Sequence, residues 1–286
     1  MRVRLLICSF VLFIAGLIVT AQGQVGQTTP PGGLFPGPAG CTAATNLLAR
    51  MDASENASAV TTAVCTIAQI TNLDFFHVLA INSTTNAKLN WLQNAFNITT
   101  GGTVTFTANS GYNGDASTGF LNTNYTASTA AGTHWTMNSA SMGICDLTAN
   151  SSSTFLQMGG QEASTALSAI ELKTTNFLGG LNSNNSTGSE AISSTKGSFA
   201  VVRTGGTTVT LYQNGTSLGT PATSSNSLTN VNLYVLGYNN NGTLLDPTSD
   251  LIAYDFGGGS LTSGNITTIY NTMHTYLSAV GAPSGC

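Results

Sequence analysis

Apolar positions along this chain follow two periods, and the change between them divides it. From Thr42 to about Asn72 the spacing is helical, with Leu47, Leu48 and Met51 on one short segment and Val60, Val64, Ile67 and Ile70 on the next. Asp52 supplies the break between them and Ser54 the N-cap of the second helix. Beyond Leu73 the alternation shortens to that of strands, predicted over 75–81, 103–108, 118–122, 133–146, 153–158, 166–172, 197–203, 207–213, 216–219, 231–238 and 250–256. Clusters of Gly, Asn, Ser and Asp separate them. The clearest local signal is a hairpin from Thr207 to Gly219, where Asn214 and Gly215 occupy the two turn positions that need positive φ. Strand patterning gives way once more near the C-terminus: Ile266, Ile269, Tyr270, Met273 and Leu277 form an amphipathic stripe, with Thr262 as N-cap and Leu261 placed to pack on Ile266. That helix ends before Gly281 and Pro283. Many short strands with no helices between them predict an all-β jelly-roll sandwich carrying a short N-terminal helical segment and one C-terminal helix.

The N-terminus has a different texture. Arg2 and Arg4 precede an apolar run from Leu5 to Val19, and small residues stand where cleavage after Ala21 or Gly23 requires them. This is the layout of a secretory signal peptide, expected over residues 1–23. The alternative is an uncleaved anchor, but the run is short for a bilayer span of about 20 residues and no cationic cluster follows it. After cleavage no other stretch is long enough to enter a membrane. Residues 24–40, with Pro30, Pro31, Pro36 and Pro38, read as an extended or flexible linker. Residues 41–73 then form the helical preface and 74–286 the sandwich. The expected location is outside the cytoplasm: secreted, periplasmic or on the cell surface.

Charge changes the picture by its scarcity. Only 6% of residues are charged, so hydroxyls and amides must cover the surface. Loss of Arg2 and Arg4 would lower Lys and Arg from 7 to 5 against 11 acidic residues. The five that remain, Arg50, Lys88, Lys173, Lys196 and Arg203, are too scattered to track a phosphate backbone, which excludes nucleic acid as a partner. Cys8 lies within the apolar N-terminal run; in an oxidising compartment the four cysteines that remain after cleavage, Cys41, Cys65, Cys145 and Cys286, read as disulfide formers. Three connectivities exist; Cys41 with Cys65 and Cys145 with Cys286 is preferred, because the first pair would bridge two short antiparallel helices.

The segments VTLYQNGTSLGT, VNLYVLGYNNNGT and LIAYDFGGGSLTSGNITTIYNTMHTYL, preceded by TFTANSGYNGDASTGFLNT, resemble laminin-G-like domains of the concanavalin A-like lectin and glucanase superfamily. The stretch from about residue 45 to 280 also resembles such domains in bacterial hypothetical proteins and phage tail or minor structural proteins. The resemblance implies a sandwich with a ligand on the concave sheet or at the rim loops, where Ca²⁺ sometimes sits.

The glucanases of that superfamily carry paired carboxylates in a Glu-x-Asp-x-Glu run, and this chain has none. Glu55, Glu162, Glu171 and Glu190 each lack a second carboxylate two or four positions away. His77, His134 and His274 show no zinc spacing, and Gly257 to Ser260 lacks the flanks of a nucleophile elbow, reading instead as a turn into the last helix. Catalysis is therefore not expected. For binding, Trp135, Tyr238, Asn239 and Asn240 have the aromatic and planar amide chemistry of a sugar platform, while Trp91 is assigned to the core. Asp115, Asp246 and Asp250 lie in loops whose oxygens would suit calcium, although an Asp in a Gly-rich loop more commonly caps its own turn. Asn-x-Ser/Thr triplets at Asn82, Asn97, Asn124, Asn214 and Asn265 matter only in a glycosylating pathway. Two functions follow as expectations: a carbohydrate-binding or adhesion module whose partner is a glycan or cell-surface protein, and a structural surface or particle protein acting through protein contacts.

Overall fold

Strands that are apolar on both parities are covered on both faces, and here they gather in one of two sheets. A computed structural model describes residues 40–52, 56–130, 132–149, 156–162, 166–184 and 187–286. The expected signal peptide, nearly all of the linker, and Ser54 lie outside the described residues. Two helices come first, α1 (Thr42–Leu48) and α2 (Ala57–Ile67). The strands follow as β1 (Leu73–Val78), β2 (Thr99–Gly101), β3 (Val104–Thr107), β4 (Gly111–Gly114), β5 (Phe120–Asn122), β6 (Ala140–Asp146), β7 (Leu156–Glu162), β8 (Ala166–Lys173) and β9 (Asn176–Ser183). The series continues with β10 (Gly188–Ala191), β11 (Gly197–Arg203), β12 (Val209–Gln213), β13 (Thr216–Gly219), β14 (Tyr234–Val235), β15 (Tyr238–Asn240), β16 (Thr243–Leu245) and β17 (Leu251–Gly258). Helix α3 (Ser263–Ala279) closes the chain.

The strands form two sheets, a β-sandwich as expected. The first runs β13-β12-β11-β6-β17-β4-β3, with β1 also on β17; the second runs β10-β9-β8-β7-β14-β5-β2, with β15 and β16 joined to β7. All pairs are antiparallel except β15 with β7. In the first sheet every residue of β1, β6 and β11 is buried. The face of this sheet that carries Phe76, Tyr254 and Phe256 is closed by Trp91 and Tyr276 of α3, whose rings meet edge to face at 5.4 Å. Phe256 packs there because its partner is Gly143: a Cβ at that position would stand 2.3 Å from the ring. The opposite face carries Phe75 against Tyr125 in the interior between the sheets.

Local chemistry accounts for the ends. Asn214 and Gly215 take φ of 49° and 79°, as the two-residue hairpin turn requires. Thr262 caps α3 in a reciprocal box with Asn265, and Leu261 and Ile266 are both buried. Cys41 caps α1 through its sulfur, and Asn56 stands at the N-cap of α2 without a side-chain bond. The disulfides are Cys41–Cys65, which joins α1 to α2, and Cys145–Cys286, which ties the C-terminal residue to β6. Of the run from Gly257 to Ser260, the first two residues are strand and only the last two leave it, a correction to the turn expected from sequence.

Candidate functional site

The second sheet has a different outer surface. On β5 and the extended segment after it, Leu121, Thr123, Tyr125 and Ala127 are buried while Phe120, Asn122, Asn124, Thr126 and Ser128 are half or fully exposed. The chain from 229 to 235 alternates in the same way, with Thr229, Leu233 and Val235 buried and Asn230, Asn232 and Tyr234 accessible. The two segments pair. Tyr234 lies opposite Asn122, and Thr123, Leu233 and Ser128 extend the ladder through Thr123 N to Leu233 O, Leu233 N to Tyr125 O and Ser128 N to Thr229 O. The register between the Asn122/Tyr234 pair and the Thr126/Asn232 contact slips by two residues, taken up at Asn124, whose φ is 54°. An even slip keeps every outward residue outward.

The result is a ledge of matched pairs. The Thr126 hydroxyl donates to Asn232 Oδ1, and the Ser128 hydroxyl donates to Asn230 Oδ1 at 2.6 Å. Neither Asn Nδ2 bonds a described residue. Asn124 is held by Nδ2 bonds to Asn97 O and Thr99 Oγ1. At one end Phe120 and Tyr234 stack, centroids 4.2 Å apart and planes 19° from parallel, and Phe120 lies over Gly101, where a Cβ would meet its ring at 2.2 Å. Partial burial raises the Tyr234 phenol above its ordinary value. Planar amides, hydroxyls and an aromatic pair on one rigid surface match the groups that recognise sugar hydroxyls and sugar CH faces.

The residues singled out from sequence are distributed around this ledge. Tyr238 and Asn240 are half exposed on β15. Asn239 is buried beneath them, donating to Asn232 O and accepting from Gly242 N, so it braces the ledge and the β15–β16 turn and touches no solvent. Trp135 is only 3% exposed, its Nε1 bonded to Asn182 Oδ1 at 2.9 Å; it is a core residue, which removes it from any surface platform. Trp91, at 1%, is core as expected. The outward set on 120–128 and 230–234 was missed, although the signal was present as two polar alternations.

The acidic residues separate in the same way. Asp115 accepts from the backbone N–H of Ser117, Thr118 and Gly119 and from the Thr118 hydroxyl, bonds that hold its carboxyl below the usual carboxylate range. It caps its own loop, the commoner fate of such an Asp. Asp246 is exposed in a left-handed turn with φ of 46°. Asp250 is 1% exposed and accepts from Gln157 Nε2 at 2.9 Å. Among the described residues no three His, Cys, Asp or Glu side chains gather as a metal would need. The three histidines do not converge: His77 meets Asp255, His134 meets Asp74, and His274 meets Cys286 O.

Asp250 instead lies near Asp146 in the interior. Burial, then the charge of Asp250, raise the Asp146 carboxyl well above its ordinary range. The folded chain thus keeps a proton that the unfolded chain releases near pH 4, so stability from this pair is complete below that pH and declines as pH rises towards the raised value. Asp146→Asn retains a donor without the titration. It should match the parent at pH 4 and exceed it at pH 8 by on the order of 1–3 kcal/mol in urea unfolding. An equal pH slope in both proteins would show that Asp146 does not titrate over this range.

No family model matches the chain, and no curated protein does. Solved structures do. The receptor-binding domain of botulinum neurotoxin D superposes with a TM-score of 0.51 at 14% identity, over 72% of this chain and 54% of that one. The botulinum neurotoxin serotype D binding domain gives 0.50 at 12%, over 70% and 51%. What is shared is the β-sandwich fold. The aligned part is about half the length of those structures. Among the described residues no helix is long and apolar enough to cross a membrane.

Proposed function

We propose that the protein is an exported, non-catalytic carbohydrate-binding or adhesion module of the laminin-G-like, concanavalin A-like kind, and that the ledge of the second sheet is its binding surface. The observation that carries this reading is the coincidence of the Thr126/Asn232 and Ser128/Asn230 pairs with the stacked Phe120 and Tyr234 on one outward face. Each pair presents an amide NH₂ without a described partner and a hydroxyl oxygen with spare lone pairs, which together satisfy a sugar hydroxyl that both donates and accepts. Tyr238 and Asn240 extend the surface on β15. Export is supported by the two disulfides, which persist in oxidising compartments, and by the N-terminal pattern. The fold neighbours, a receptor-binding domain and a binding domain, are compatible with a module that holds a ligand.

The test is a glycan array probed with the full chain, both disulfides formed, beside Tyr234→Ala and the double variant Asn230→Ala/Asn232→Ala. Selective binding by the parent is expected, with at least a tenfold loss in each variant and no change in melting temperature. A folded parent that binds nothing would favour the structural surface protein instead. Because the ledge uses no metal, added Ca²⁺ or a chelator should leave any binding unchanged.

A further inference from the structure

Resting on the carbohydrate reading, we infer that the ledge takes uncharged glycans and discriminates against sialylated, sulfated or phosphorylated ones. An anionic sugar group needs a cation or a cluster of donors when it leaves water. Residues 120–128 and 229–235 contain no Lys, Arg or His. The cations elsewhere are mostly committed. Arg203 is buried and donates to the carbonyls of Leu181, Gly205 and Gly206. Arg50 donates to the carbonyls of Asn46, Gln93 and Asn90. Lys173 pairs with Glu171 at 2.9 Å, and Lys196 stands close enough to Asp146 to oppose the rise of its carboxyl. Lys88 belongs to a 3-10 turn at Asn86–Lys88.

An exposed carboxylate, Asp246, stands at the β15 end. The Tyr238 phenol is raised first by burial and then by the carboxylates of Asp246 and Glu171. Ligand negative charge would approach Asp246, whereas Glu171 is already paired with Lys173. The donor and acceptor pattern agrees. In each ledge pair the hydroxyl spends its hydrogen on the Asn Oδ1, so its oxygen keeps only acceptor capacity beside the amide donor. A sugar hydroxyl satisfies both groups. A carboxylate or sulfate, which only accepts, satisfies the amide and leaves the hydroxyl oxygen opposed to its own.

Matched oligosaccharides, identical except for a terminal sialic acid or a sulfate, would be titrated against the full chain at 50 and 500 mM NaCl. The uncharged member should bind at least tenfold more tightly, and its Kd should change less than twofold with salt, since no charge is screened. Tighter binding of the sialylated or sulfated member, weakened by salt or by Lys88→Ala, would overturn this inference and leave the carbohydrate reading standing. Binding of either member that survives Asn230→Ala/Asn232→Ala would overturn the assignment of the ledge. Failure of both members and of the whole array to bind would overturn the carbohydrate reading itself.

Discussion

His77→Ala should lower the unfolding free energy by about 3–5 kcal/mol, the cost of removing one partner of a buried, hydrogen-bonded His–Asp pair. His77 and Asp255 are both fully buried, opposite one another on β1 and β17, with Nδ1 2.8 Å from Asp255 Oδ1. The other ring nitrogen, Nε2, lies 2.7 Å from the carbonyl oxygen of Phe96. Both ring nitrogens are therefore engaged, one by a carboxyl oxygen and one by a backbone carbonyl. Deleting the ring leaves the buried Asp255 carboxyl without its partner between the sheets. It also releases Phe96, which holds a φ of 57°. Urea unfolding with the disulfides intact measures the loss, and the double variant His77→Ala/Asp255→Asn should recover a substantial part of it. A double variant no more stable than the single would mean that cavity formation, not the unpartnered carboxyl, sets the cost.

The second large effect concerns the two disulfides, which differ in the length of chain they close. Cys145–Cys286 spans 141 residues and Cys41–Cys65 spans 24. Loop-closure entropy alone assigns them about 5 and about 3 kcal/mol respectively. Cys145→Ser/Cys286→Ser is therefore expected to melt at the lower temperature of the two double variants. The longer bridge also anchors the chain beyond α3, so its loss should let the last turn of that helix fray. Scanning calorimetry of both proteins checks the order. A reversed order would place the stabilisation in the α1 and α2 contacts and not in the unfolded chain.

What could be read before the structure was whatever a few neighbouring residues decide. The Asn214–Gly215 hairpin and the Thr262 cap are local, and both form as the spacing predicts. Strand β9 was missed because Gly179 and Gly180 interrupt its pattern, and the reason lies in another sheet: a Cβ at 179 would come within 2.5 Å of Val201 and 2.7 Å of Leu211. The single strand expected over 133–146 breaks at the Thr136–Ser139 bridge, after which β6 begins at Ala140. Trp135 offered no local clue to its burial, because its partner Asn182 is 47 residues away. The ledge shows the same limit. Each of its polar alternations was visible, but the contact of Thr126 with Asn232, across 106 residues, and the two-residue slip at Asn124 are properties of the fold.

The Cys145–Cys286 bridge also fixes on which side of the sandwich the C-terminal residue lies. Cys145 faces the same way as Tyr254, its partner on β17, so the last residue is fastened on the helix-covered side of the first sheet. Gly40, the first described residue, packs near Thr61 of α2 on that side as well. The two ends of the described chain therefore lie behind the sandwich. The ledge lies on the opposite side, on the outer face of the second sheet.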